Sequence, residues 1–212
     1  MTTTVPIGIV LLAAGNASRF GSAKQQLLFE GMPLVRRAAT AAVNTGASVV
    51  VVTGAYRELV EGYLSDLPVM PVFNPDWQLG MGGSIARGID QLDKLAASVD
   101  AAIICLADQP MITAGELMQL ISAHRQATRR IIAAAYNGVL GPPCLFPRAY
   151  FNDLASLHGP GGARILLERH AAQVNALSMT VAAIDIDTPE DYARLEGGAN
   201  SFIPDGKRCQ SD

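Results

Sequence analysis

Residues 7–28 read IGIVLLAAGNASRFGSAKQQLL. The first half is a continuous run of aliphatic and small residues over 7–14. It is too short to cross a bilayer and too uniformly apolar for a strand with one wet face, so it reads as a strand buried on both sides. It ends in Ala13-Ala14-Gly15, small residues that let backbone approach a ligand closely. A loop of small polar residues follows, carrying the cations Arg19 and Lys24. A buried strand feeding a glycine-bearing loop with two positive charges opens an α/β fold with an anion site at its strand ends, and two cations there suit a polyphosphate. The spacing is neither that of a Walker A loop, since no Gly-Lys-Ser/Thr occurs, nor that of a Gly-x-Gly-x-x-Gly dinucleotide turn. The same residues also suit a solvated strand-to-helix loop.

Outward from this stretch the pattern repeats. Apolar, β-branched runs over 47–53 and 101–106 predict two more buried strands, and weaker ones lie at 69–73, 131–136 and 181–186. Helical spacing fills 33–45, 56–64, 84–97 and 113–127. Pro33 suits a first helical turn, Thr113 and Glu116 form a capping box, and Thr188-Pro189-Glu190-Asp191 starts another helix with acids at its positive end. Strand and helix alternate to about residue 136, which predicts a three-layer α/β/α arrangement on a mainly parallel sheet. Beyond it, residues 137–143 read as turn, HGPGG (158–162) as a loop and 163–172 as a helix. Residues 1–196 are expected to form one domain and 197–212 a flexible C-terminal tail.

The composition narrows the chemistry. Half of the residues are hydrophobic and 17% are charged, enough apolar surface for a real core. The net charge of −3 carries no basic excess, so no nucleic-acid partner is expected. Cys105, Cys144 and Cys209 are scattered, as are His124, His158 and His170, which excludes a disulfide framework and a zinc motif. Cys105 is expected in the core, Cys144 half-buried and Cys209 exposed. The N-terminal apolar run lacks a basic flank, so the expectation is a cytoplasmic protein without a membrane segment.

In such sheets ligands bind beyond the carboxyl ends of the strands. The second informative loop is NPDWQLGMGGSIARG (74–88), where Gly80, Gly82 and Gly83 make a pliable turn and Ser84 opens a helix whose free amides can hold an anion. Asn74 is expected to brace this turn. The third is LADQP (106–110), which places Asp108 at the sheet mouth, where a carboxylate can hold Mg²⁺ or cap local amides. The fourth is DIDTPEDY (185–192). Alternation puts Asp185 and Asp187 on one face with Ile186 opposite, so either acid can reach a metal shared with Asp108, or both can serve as helix caps.

The run Leu12-Ala13-Ala14-Gly15, followed by Ser18-Arg19, Gly21 and Lys24, resembles the signature of nucleotidyltransferases. Within them it is similar to the branch that attaches cytidylate or guanylate to molybdopterin, and the resemblance extends over most of residues 7–195. It implies a Rossmann-like nucleotidyltransferase fold with a twisted sheet. It implies a nucleotide site at Leu12, Ala13, Ala14, Gly15, Arg19, Lys24, Gly80, Met81, Ser84 and Asp108. It implies catalysis by Lys24, Arg19 and Asp108, with Mg²⁺, or Mn²⁺ in its place, on Asp108 and Asp187 and with Asp185 as the weaker candidate. Gln109 and Pro110 would shape the acceptor pocket, joined by Gly141, Pro143 and Arg164. Pro142 and Pro160 stand where relatives carry polar residues, which removes polar groups from the implied acceptor side. Ala-Ala-Gly, rather than Ala-Gly-Gly, resembles the cytidylyl-transferring branch and favours CTP over GTP. The implied substrates are a nucleoside triphosphate and a phosphorylated acceptor, with docking to a molybdenum hydroxylase as a further implied partnership. Alternatives are a GTP-using enzyme, a cytidylyl- or uridylyltransferase acting on a sugar or alditol phosphate, and a non-catalytic carrier of nucleotide or cofactor.

Overall fold

The computed structural model describes residues 6–16, 23–95 and 99–199. Arg19, Ser18, Gly21 and Cys209 fall outside them, as does the expected tail except for its first three residues.

The opening run forms β1 (Ile7–Ala13), every residue of it buried. A short antiparallel pair, β2 (Leu28–Phe29) and β3 (Met32–Pro33), leads into α1 (Leu34–Val43). Then come β4 (Ser48–Thr53), α2 (Arg57–Leu64), β5 (Met70–Phe73), α3 (Met81–Leu95), β6 (Ala101–Leu106) and α4 (Ala114–Gln126). Pro33 stands just before α1, extended, rather than within its first turn. Thr113 and Glu116 make both bonds of the expected capping box. The second half adds β7 (Ile131–Tyr136), β8 (Val139–Pro147), α5 (Phe151–Ala155), α6 (Arg164–Arg169), β9 (Val174–Ser178) and α7 (Pro189–Ala199).

Seven strands form one sheet in the order β5-β4-β1-β6-β8-β7-β9. All neighbouring pairs are parallel except the two that β8 makes, with β6 and with β7. Strand alternation splits the core into two layers. Ile9, Leu11, Val51 and Ile103 face α1, α2 and α4, whereas Val10, Val52 and Ile104 face α3, α5 and α6. The result is the expected α/β/α sandwich. A Cβ at Gly88 of α3 would overlap the Val10 side chain, and one at Gly8 would overlap Leu92. These two glycines seat α3 directly on β1, which aims its first turn at the end of that strand.

Three expectations are corrected. Residues 181–186 pair with no strand. Thr180–Ala183 make a 3₁₀ turn and the chain then runs extended, with Ile186 inward and one backbone bond from its amide to the Asp108 carbonyl (3.0 Å). The segment 137–143 is mostly strand: Asn137 and Gly138, both at positive φ, make the tight turn between β7 and β8. Cys144 is fully buried, not half-buried.

Candidate nucleotide site

A cleft of about 630 Å³ lies beyond the carboxyl ends of β1 and β6. Leu12, Ala13, Ala14 and Gly15 form one wall, and Trp77, Gly80, Met81 and Ser84 another. Lys24, Asp108, Asp185 and Asp187 lie at its charged end.

The first wall is anchored from behind. The Gln25 side-chain amide donates to the Gly15 carbonyl at 2.6 Å and to Ala13 O at 3.5 Å. The Ala55 amide donates to Ala14 O at 3.1 Å, and the Tyr56 hydroxyl to Asn16 O at 3.1 Å. Four successive carbonyls are thus occupied, which leaves the loop's amides to offer an anion. Gln25 is 4% exposed. A sequence pattern could not single out Gln25 or Tyr56, because neither has a motif of its own and their partners are main-chain atoms.

The second wall begins α3. The helix starts at Met81, three residues before the expected Ser84, and Gly80 takes a φ of 117° that favours glycine. Asn74 is buried and braces the turn as expected, accepting from the Asp76 amide (3.1 Å) and donating to Ser84 Oγ (3.0 Å). With that bond accepted, the Ser84 hydroxyl has its own proton to donate into the cleft. The HGPGG loop lies behind this wall: Gly82 N donates to Gly159 O at 2.9 Å, and a Cβ at Gly80 would strike Gly159 and Pro160.

The charged end joins three distant segments. Lys24 Nζ lies 2.6 Å from Asp108 Oδ2 and 2.7 Å from Asp187 Oδ1, with Lys24 13%, Asp108 22% and Asp187 45% exposed. Burial disfavours the Lys24 charge, but Asp108 and Asp187 outweigh it and raise the lysine pKa. Asp187 is held by the start of α7, where Asp191 Oδ2 accepts from the amides of Asp187 (3.2 Å) and Thr188 (2.8 Å). Asp185 points into the same cleft, and burial together with the charges of Asp187 and Asp108 raises its carboxyl pKa. The alternation argument therefore gives the right facing for all three residues although no sheet strand carries them.

Among the described residues no group of three or more His, Cys, Asp or Glu has metal-holding geometry. Two carboxylates nonetheless match Mg²⁺, which usually takes one or two from protein and the rest from water and substrate phosphates. Asp108 Oδ1 is buried and has no hydrogen-bond partner, a spare ligand for a cation.

The residues expected around an acceptor are placed differently. Gln109 is buried and donates to Pro142 O (3.1 Å) and Ala182 O (2.8 Å). Pro110, Gly141 and Pro143 are buried beside it. Arg164 is exposed and pairs with Glu168 at 2.7 Å. None of the five lines the cleft.

A family profile described as "MobA-like NTP transferase domain" matches residues 9–174. The purine catabolism protein PucB of Bacillus subtilis (strain 168) is 28% identical over 196 residues, covering 86% of this chain and 92% of PucB. The bifunctional protein GlmU of Cutibacterium acnes is 34% identical over 122 residues, 56% of this chain but 28% of its own length, so the match spans under a third of that protein. Among solved structures, Rv0371c of Mycobacterium tuberculosis H37Rv superposes with a TM-score of 0.78 at 25% identity, covering 92% of this chain and 98% of the other. Rv0371c has also been solved in complex with manganese (TM-score 0.74, 24% identity, 91% and 98% coverage).

Proposed function

From its membership of the MobA-like NTP transferase family, to which the matched residues 9–174 assign the chain, we propose that this nucleotidyltransferase moves CMP from CTP onto the phosphate of molybdopterin and releases pyrophosphate. The observation that supports nucleotidyl transfer is the convergence of Lys24, Asp108 and Asp187 beside a loop whose carbonyls are tied back, while CTP and molybdopterin rest on the resemblance of residues 12–24.

The chain has little covalent chemistry to perform. A phosphate acceptor is already an anion and needs no general base. Its oxygen attacks the α-phosphorus, the bond from that phosphorus to the bridging oxygen breaks, and pyrophosphate leaves with the electron pair. Catalysis is then positioning and charge neutralisation. The amides after Ala13 and the Ser84 hydroxyl bind and orient the triphosphate. Lys24, with Arg19 as the proposed second cation of the loop, balances phosphate charge. Asp108 and Asp187 would hold Mg²⁺, with Mn²⁺ as a substitute in keeping with the manganese complex of Rv0371c. Bound there, the ion supplies further positive charge to the phosphate oxygens.

The test is pyrophosphate release with molybdopterin against CTP, GTP, ATP and UTP. Release fastest with CTP is expected. Release fastest with GTP would replace the base assignment. Release only with a sugar or alditol phosphate would replace the acceptor, and tight nucleotide binding without release would make the protein a carrier.

A further inference from the structure

Directly after Asp108 in the chain, three segments meet in a corner. Gln109 joins them, donating to Pro142 O in β8 and to Ala182 O just ahead of Asp185. Tyr136, the last residue of β7, folds into this corner along its own hairpin. Its hydroxyl lies over Gly141, where a Cβ would collide with it, so the glycine there makes room for the phenol. The hydroxyl has no hydrogen-bond partner among the described residues, although the ring is half-buried against the core. Burial, then Cys144 and the carboxylates of Asp185 and Asp108, push the phenol pKa up, so the group keeps its proton and can donate. Tyr136 also lines a second hollow of about 420 Å³, bounded by Asn137, Leu140, Ser178 and Thr180 as well.

We propose that the Tyr136 hydroxyl is the donor that receives the acceptor's phosphate beside Asp108, with the rest of the acceptor extending into the hollow along the β7–β8 hairpin. This rests on the assignment of the cleft as a nucleotidyl-transfer centre. Pro142 supplies no polar side chain here, and the Gln109 amide group is engaged by Pro142 O and Ala182 O, which leaves the Tyr136 hydroxyl as the side-chain donor of the corner beside the acceptors Asp185 and Gln109 Oε1. Asp185 can only accept when ionised. The preferred acceptor is therefore a phosphomonoester that carries N–H or O–H donors on its body, and molybdopterin belongs to that class. Tyr136 acts as a specificity residue, not as a base.

Tyr136→Phe keeps the ring on Gly141 and removes only the hydroxyl. With CTP and molybdopterin, the acceptor KM is expected to rise about ten- to a hundredfold, the range for losing one hydrogen bond to a charged group. The CTP KM and the melting temperature are expected to stay put. An unchanged acceptor KM overturns the proposal, and so does a parallel rise in both KM values, which would mark a structural role. If the wild-type protein releases no pyrophosphate from any nucleotide with molybdopterin, the acceptor assignment fails and takes this proposal with it. The wild-type control thereby separates the two failures.

Discussion

Replacing Lys24 by methionine sets two measurable quantities moving in opposite directions. The ammonium sits 2.6 Å and 2.7 Å from one oxygen of each of the two carboxylates proposed to hold the metal. An ion bonded to the same carboxylates at about 2.0–2.1 Å would crowd it, positive charge beside positive charge. Metal binding would therefore weaken the hold of the two acids on Lys24, whose ammonium, on the proposed function, would turn to the nucleotide phosphates. The Asp108 arm, shielded from solvent, is worth about 1.5–2 kcal/mol as a charge-assisted bond. The Asp187 arm is 45% exposed, and solvent screening reduces it to about 0.5–1 kcal/mol. Together that is about 2–3 kcal/mol, or roughly 30- to 150-fold in an equilibrium constant. Without nucleotide, Mn²⁺ is expected to bind Lys24→Met tighter than wild type by that factor, read by electron paramagnetic resonance of free Mn²⁺. Turnover in the same variant is expected to fall by about 10²–10³, the usual cost of losing one electrostatic contact to the reacting phosphates. Asp108→Asn supplies the contrast, because it should lose Mn²⁺ affinity and rate together. Unchanged or weaker Mn²⁺ binding by Lys24→Met would refute the competition. The raised lysine pKa adds a pH signature: the pair stabilises the fold fully below the ordinary lysine value, so the melting difference between wild type and variant persists through neutral pH and fades only as pH rises through the folded pKa.

Other perturbations probe the scaffold. Gln25→Met removes the ties to Gly15 O and Ala13 O. The nucleotide KM should rise up to about tenfold with the acceptor KM unchanged, since a hydrogen bond of this kind is worth about 0.5–1.5 kcal/mol. Gly88→Ala gains helix propensity but drives a methyl into Val10. A net loss of about 1 kcal/mol, or about 2–4 °C in melting temperature, is expected from thermal denaturation. At the surface, the hydrogen bond from Arg36 lowers the Asp66 carboxyl pKa to about 2. Its contribution is present above the ordinary aspartate value and lost as pH falls through the folded one, so the melting difference of Asp66→Asn should vanish near that pH and shrink in high salt.

The β1 run, the loop after it and Asp108 were legible because each expresses a local rule: buried-strand composition, small residues at a turn, an acid at a strand end; Asp187 was favoured over Asp185 by the family resemblance alone. β8 was not. Pro142 and Pro143 interrupt its sequence and suggest a turn, yet both fall at an irregularity where the ladder to β7 passes from Cys144 to Gly141, so no donor is missed there. β9, an edge strand with mixed exposure, shows too weak an alternation to stand out. The 181–186 run misleads for the opposite reason: it is apolar enough for a strand, but Ile186 goes inward to cover β2 and α1 without joining the sheet. Tyr136 and Gln25 serve the cleft through Gly141 and the loop carbonyls, relationships created by folding and written in no spacing.

The ion pair that joins Lys24 to Asp187 closes across 163 residues of sequence, and the one to Asp108 across 84. Contacts of such reach close long loops of chain and are expected to form late. A chain that has laid down β1, β4 and β6 already owns the phosphate loop, but its lysine still faces a single acid. Only when α7 caps itself on Thr188 does the second carboxylate arrive. On the proposed function, competence to handle a charged nucleotide is expected only of the completed fold, and the appearance of high-affinity Mn²⁺–nucleotide binding during refolding should track the docking of the last helix, not the formation of the sheet.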